Sequence, residues 1–219
     1  MKLLSIVVVL LMGVSLSCDN SRDTNNLQEK KPATALKEIQ PQSQAAPFQP
    51  FYVYADKGSA LNHYIPSGFM PNGKCLSLND AWGENCQSGK TCLKIDYDLD
   101  CSRKDQRWAG IYWLNPANNW GQRKGGFNLT GATKVTFWAR GEKGGEQIQE
   151  FTVGGISGDY PDSDSSMIGP VILTPEWKKY SIDLRGKDLS YISGGFEWTS
   201  SEDVNLTSCI FYLDEIKFE

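Results

Sequence analysis

Val135-Thr136-Phe137-Trp138-Ala139-Arg140 reads as a strand with two different faces: Val135, Phe137 and Ala139 form an apolar side, and Thr136, Trp138 and Arg140 the other. The period is two. The same alternation recurs where Leu93, Ile95 and Tyr97 intersperse with Lys94, Asp96 and Asp98, and where Tyr180, Ile182 and Leu184 intersperse with Ser181, Asp183 and Arg185. Further strands are expected at 51–55, 108–113, 148–153, 167–173, 195–198 and 210–218, with glycine-rich turns such as Gly141-Glu142-Lys143-Gly144-Gly145 and Gly154-Gly155 between them. No helical stripe of three turns is present from residue 51 onward. Nine or ten short strands in one domain predict an all-β fold, a two-sheet antiparallel β-sandwich of jelly-roll type, with a closed barrel as the alternative.

The chain divides by composition. Residues 51–219 hold 24 of the 25 aromatic side chains and 20 of the 21 glycines, and their 169 residues suit one domain with a real core. Residues 18–50 are mostly Asn, Gln, Lys, Ser, Ala and Pro, with Phe48 the one aromatic among them, and are expected to be a disordered tether. Residues 1–17 read as a signal peptide: Lys2, an apolar run over 3–14, then small residues before Cys18. That run is shorter than the roughly 20 residues of a bilayer-spanning helix. Cys18 is the expected lipidation site, although Ser15 stands where a lipobox has Leu; ordinary cleavage leaving a free thiol is the alternative. An exported lipoprotein held to the cell envelope, touching the membrane through its lipid alone, is the expected setting.

Export fits the five cysteines of the domain. Opposed residues of an antiparallel hairpin keep a constant index sum, and the sums for Cys75 with Cys101 and Cys86 with Cys92 differ by two, which one small bulge reconciles. Nested disulfides across one hairpin are therefore expected, with Cys209 a free buried thiol, while other connectivities stay open. From residue 51 the chain carries 17 basic and 22 acidic side chains with no long run of either sign, so nucleic acid is not an expected partner.

The segments NHYIPSGFM (62–70), SGKTCLKIDYD (88–98), WAGIYWLNPANNWG (108–121), LTGATKVTFWARGEKGGE (129–146), LTPEWKKYSIDLRGKDLSYISGGFEW (173–198) and FYLDEIKFE (211–219) together resemble bacterial carbohydrate-binding modules of the galactose-binding-like β-sandwich superfamily. The resemblance implies non-catalytic polysaccharide binding on one sheet face, often with a structural calcium ion. Phe69, where Trp is expected, and Glu197, where a small or apolar residue is commoner, depart from that pattern and bear on specificity.

A sugar offers C–H faces that pack on aromatic rings and hydroxyls that need paired donors and acceptors. Alternation sends Trp108 and Tyr112, Trp138 and Arg140, Glu150, and Glu197 away from the core. If their strands share a sheet, these six make a carbohydrate-binding face; otherwise the rings cover a loop or a sheet end. Calcium takes oxygen ligands, and Asp56 after the first strand and Asp214 in the last are its candidates, unless Asp214 caps a loop. No catalytic residue is assigned. The lone His63 allows no Ser-His-Asp arrangement, and the cysteines have no zinc spacing. Two other functions stay open: an envelope protein-interaction or structural role, which calls for an apolar patch with a polar rim, and a small glycosidase or lyase using Glu150 with Glu197.

Overall fold

The computed structural model describes residues 46–71, 73–101, 107–206 and 208–219. The signal peptide, Cys18 and most of the tether lie outside the described residues. Thirteen strands follow in order: β1 (Phe51–Tyr54), β2 (Ile65–Pro71), β3 (Leu76–Trp82), β4 (Cys92–Tyr97), β5 (Trp108–Leu114), β6 (Lys134–Gly141), β7 (Gln147–Ile148), β8 (Glu150–Gly154), β9 (Ser165–Ile168), β10 (Val171–Ile172), β11 (Lys178–Asp183), β12 (Gly194–Ser201) and β13 (Cys209–Phe218). They form two antiparallel sheets, one ordered β11-β6-β13-β4-β3 with β1 also on β13, the other β2-β5-β12-β8-β9, plus the small β7–β10 pair. The fold is a sandwich, and neither sheet closes into a barrel.

Alternation places the core where the sequence puts it. Val135, Phe137 and Ala139 of β6, Leu93, Ile95 and Tyr97 of β4, and Phe211 and Leu213 of β13 are buried against Ala109, Ile111 and Trp113 of β5, Phe151 and Val153 of β8, and Phe196 and Trp198 of β12. Rings lock the layers together: Phe137 meets Phe151 at 4.7 Å and Phe196 at 5.0 Å, and Trp198 meets Phe211 edge-on at 4.8 Å. The core begins earlier than composition suggests, because Phe48 also packs against it. A polar segment can end on one anchoring ring.

β13 is long enough to serve two partners along one edge. Cys209–Leu213 pairs with β4, then a bulge with Glu215 at φ 50° shifts the register, and Ile216–Phe218 pairs with β1. Asp214 sits at this seam, fully buried.

The disulfides are Cys75–Cys101 and Cys86–Cys92, and Cys209 is free and buried, as read from the sequence. The ladder beneath them differs from the index arithmetic. Leu76 faces Tyr97 and Trp82 faces Cys92, so Cys86 and Cys101 lie in loops beyond the paired strands. Burial pushes the Cys209 thiol up to about 12 and keeps it protonated.

Candidate functional site

The six expected face residues do not share a sheet. β6, carrying Trp138 and Arg140, belongs to the six-stranded sheet, whereas β5, β8 and β12, carrying Trp108, Tyr112, Glu150 and Glu197, belong to the five-stranded one. Both groups point away from the core, toward opposite sides of the sandwich.

On the six-stranded side the outer face is occupied by its own side chains. Arg140 lies 3.7 Å over the Tyr212 ring and 5.4 Å from Trp177, while Lys94 sits 4.2 Å over Trp82 and 5.8 Å from Tyr212. The Trp82 indole donates to Glu84 O, the Trp177 indole to Asn85 O, and the Tyr212 hydroxyl to Glu142. This stack of alternating rings and cations seats the turn that carries Cys86. It buries Arg140, which is therefore unavailable to a ligand, contrary to the expectation. Trp138 is half-buried in the next row, between Lys179 and Asp214.

Asp214 and Asp56 hold the adjoining loop from two sides. Asp214 accepts from the amides of Ser88 at 3.0 Å and Glu215 at 2.8 Å, and burial pushes its carboxyl up to about 6. Asp56 accepts from the amides of Lys90 and Thr91, both at 2.8 Å, and from the Thr91 hydroxyl. Both Asp214 oxygens and Asp56 Oδ1 thus accept N–H groups, so the two carboxylates act as caps on this loop. Among the described residues no three acidic, His or Cys side chains gather as metal ligands. His63 stacks on Phe51 at 3.9 Å, and burial lowers its pKa.

The outer face of the five-stranded sheet is different. Register sets its rows: Gly68, Tyr112, Glu197, Thr152 and Met167 lie across from one another, and the next row runs Met70, Gly110, Thr199 and Glu150. Trp108 and Ser201 follow. Trp108 is 40% exposed and stands about 13 Å from Tyr112 along β5.

Tyr112, expected as an open platform, is only 5% exposed. Its hydroxyl donates to Gly154 O, Ile156 packs beside it, and the Trp120 ring meets it edge-on at 6.0 Å. Trp120 takes its place as the exposed ring at that end, 36% exposed. Two contacts position Trp120. Gly68 leaves it room, since a Cβ there would stand 2.8 Å from the indole, and Gly121 turns the chain at φ 78° where a side chain would strike Ser157 O. Buried Asn119 braces the turn, donating to Arg123 O and accepting from the Gln122 and Arg123 amides.

Trp108 and Trp120 are both exposed at this face; buried Gly110 of β5 is covered by Thr199 and Met70, whose Cγ2 and Cε would stand 2.9 and 3.4 Å from a Cβ there, and Glu150 and Glu197 lie on β8 and β12. The buried Ser201 hydroxyl has no hydrogen-bond partner among the described residues, whereas the Thr152 hydroxyl stands close enough to the Glu197 carboxyl to favour its charged form. Glu197 is half-buried, and its carboxyl is pushed up to about 7, first by burial and then by the charge of Glu150. Sequence reasoning missed Trp120, Thr152 and Ser201. Trp120 lies in a loop, where alternation assigns no face, and the hydroxyls look like ordinary solvated positions.

No protein-family model matches the sequence, and no curated protein matches it. Solved structures that resemble it include carbohydrate-binding modules and part of an agarase. A family 30 module of a cellulosomal cellulase of Clostridium thermocellum shares 14% identity over 78% of this chain and 97% of its own, with a TM-score of 0.47. A family 11 module from Clostridium thermocellum, in complex with a beta-1,3-1,4-mixed-linked tetrasaccharide, shares 15% over 69% and 84%, with a TM-score of 0.42. A family 29 module from Piromyces equi shares 15% over 71% and 85%, with a TM-score of 0.35. Likeness this distant leaves the site to be decided by its own residues.

Proposed function

We propose that this chain binds polysaccharide without cleaving it, on the outer face of the five-stranded sheet. The carrying observation is the pair of exposed indoles, Trp108 and Trp120, at the face that also carries Glu150, Glu197 and the Thr152 hydroxyl. Stacked rings take the C–H faces of a sugar, and the hydroxyls and carboxylates take its O–H groups. In the same reading the domain is exported and held to the cell envelope by a lipid on Cys18, supported by the apolar run over 3–14 and the small residues before that cysteine.

A glycan array on the purified chain tests the binding. Trp120→Ala is expected to cost about 1–3 kcal/mol of affinity for the glycan found, by analogy with base–aromatic stacking, and to leave the melting temperature nearly unchanged. Trp113→Ala, in the core, is expected to cost about 3–5 kcal/mol of stability instead. Full retention by Trp120→Ala refutes this face.

One observation favours a second reading, hydrolysis. Glu197, whose carboxyl is pushed up to about 7, and Glu150, diagonal to it on the next strand, resemble an acid paired with a carboxylate. Release of reducing ends from the bound glycan, abolished in Glu197→Gln, would establish it over simple binding.

A further inference from the structure

We infer that the same face selects glycans by charge, taking chains that carry free amino groups in preference to neutral ones and turning away those that carry carboxylates or sulfates. This rests on the sugar-binding reading above and adds the substrate class.

The register puts Glu197 opposite Thr152 and Glu150 opposite Thr199, so the two carboxylates are diagonal neighbours on adjacent strands, their Cα atoms on the order of 7–8 Å apart. Several other carboxylates of the domain are compensated. Asp162 accepts from the amides of Ile156, Ser193 and Gly194, Glu219 pairs with Lys134 and Lys179, and Asp164 pairs with Lys187. Glu150 and Glu197 have no Lys or Arg partner among the described residues, and no outward position of β2, β5, β8, β9 or β12 carries a basic side chain. Arg107, beside Trp108, is engaged by Glu202 and Asp203.

Like charges left uncompensated in a half-dry site are costly, and a ligand that supplies the missing cation relieves them. An ammonium on a sugar ring does so through charge-assisted hydrogen bonds, and the flanking indoles accept a cation as readily as a C–H face. A uronate or sulfate adds a third like charge. Ser201, 3% exposed and with its hydroxyl unpartnered, lies opposite Trp108 on the same outward side.

The test is calorimetric titration of the full chain at pH 7, in chelator, with four oligomers of equal length: β-1,4-glucosamine, its N-acetylated form, β-1,4-glucose and galacturonate. The amino oligomer is expected to bind about tenfold or more tightly than either neutral one, since a hydrogen bond to a charged group has about that effect. The galacturonate oligomer is expected not to bind. Glu150→Gln and Glu197→Gln should each reduce the ratio of amino to glucose oligomer affinity and melt no lower than the parent. Equal affinity for amino and glucose oligomers, or a preference that survives both substitutions, overturns charge selection while leaving the sugar face standing. Binding that requires a divalent cation also overturns it, because the ion rather than the ligand then supplies the charge. A chain that binds none of the four and no glycan on the array loses both readings.

Discussion

Glu197 shows how a single position reports its surroundings. Thr152 on β8 and Tyr112 on β5 face it across neighbouring strands, Glu150 lies diagonal to it, and burial with the charge of Glu150 raises its carboxyl to about 7. The unfolded chain releases this proton near the ordinary value of 4.5. The folded state therefore binds the proton more tightly, and the stability this group contributes is full below about 4.5 and lost as the pH rises through about 7. The melting temperature of the parent should fall more steeply over that window than that of Glu197→Gln. Asp214, also raised, to about 6, adds the same slope to both proteins. Parallel profiles would show that Glu197 is not held protonated by the fold. Trp138 makes the complementary case: it lies on the other sheet, so Trp138→Ala should leave glycan retention intact and lower only the melting temperature.

Among the elements, β2 decides where the exposed ring stands. It is an edge strand, paired on one side with β5 alone, and it tolerates Pro66 and Pro71 because an edge has backbone groups with no ladder to complete. Those prolines are also why alternation did not mark it as a strand. β3 was equally unmarked, since Ser77, Asn79 and Ala81 are exposed and Leu76 and Leu78 are only half-buried. Gly68 of β2 makes a sharp test. Gly68→Ala should push the Trp120 indole off its seat, weaken glycan binding by an amount comparable to Trp120→Ala, and keep the cooperative unfolding transition, because the ring is at the surface and free to move. Unaltered binding in that variant would show that the position of Trp120 is irrelevant to the ligand.

At the scale of the whole molecule, the packing of Phe48 on the core, against Gly131, sets the working boundary of the domain. A fragment beginning at residue 46 should melt above one beginning at residue 51; equal melting temperatures would put the boundary back at 51. Calcium is tested on the same intact protein. With Asp56 and Asp214 occupied by amides, millimolar calcium added to chelated protein should leave the melting temperature unchanged, and a rise abolished by Asp214→Ala would restore the metal. The amino-acid order alone determined the strand period and the apolar face of each strand, because these depend on neighbours close in the chain; the cysteine pairing it left open, and the ladder beneath the disulfides differs from the index sums. It could not say which strands share a sheet. Alternation tells inward from outward but carries no information on lateral neighbours, so Trp138 and Arg140 were grouped with a face on the far side of the sandwich. Strand order, set by long-range pairing and by packing of the two apolar faces, is what brought Trp108, Trp120, Glu150 and Glu197 to one surface and closed Tyr112 and Arg140 away from it.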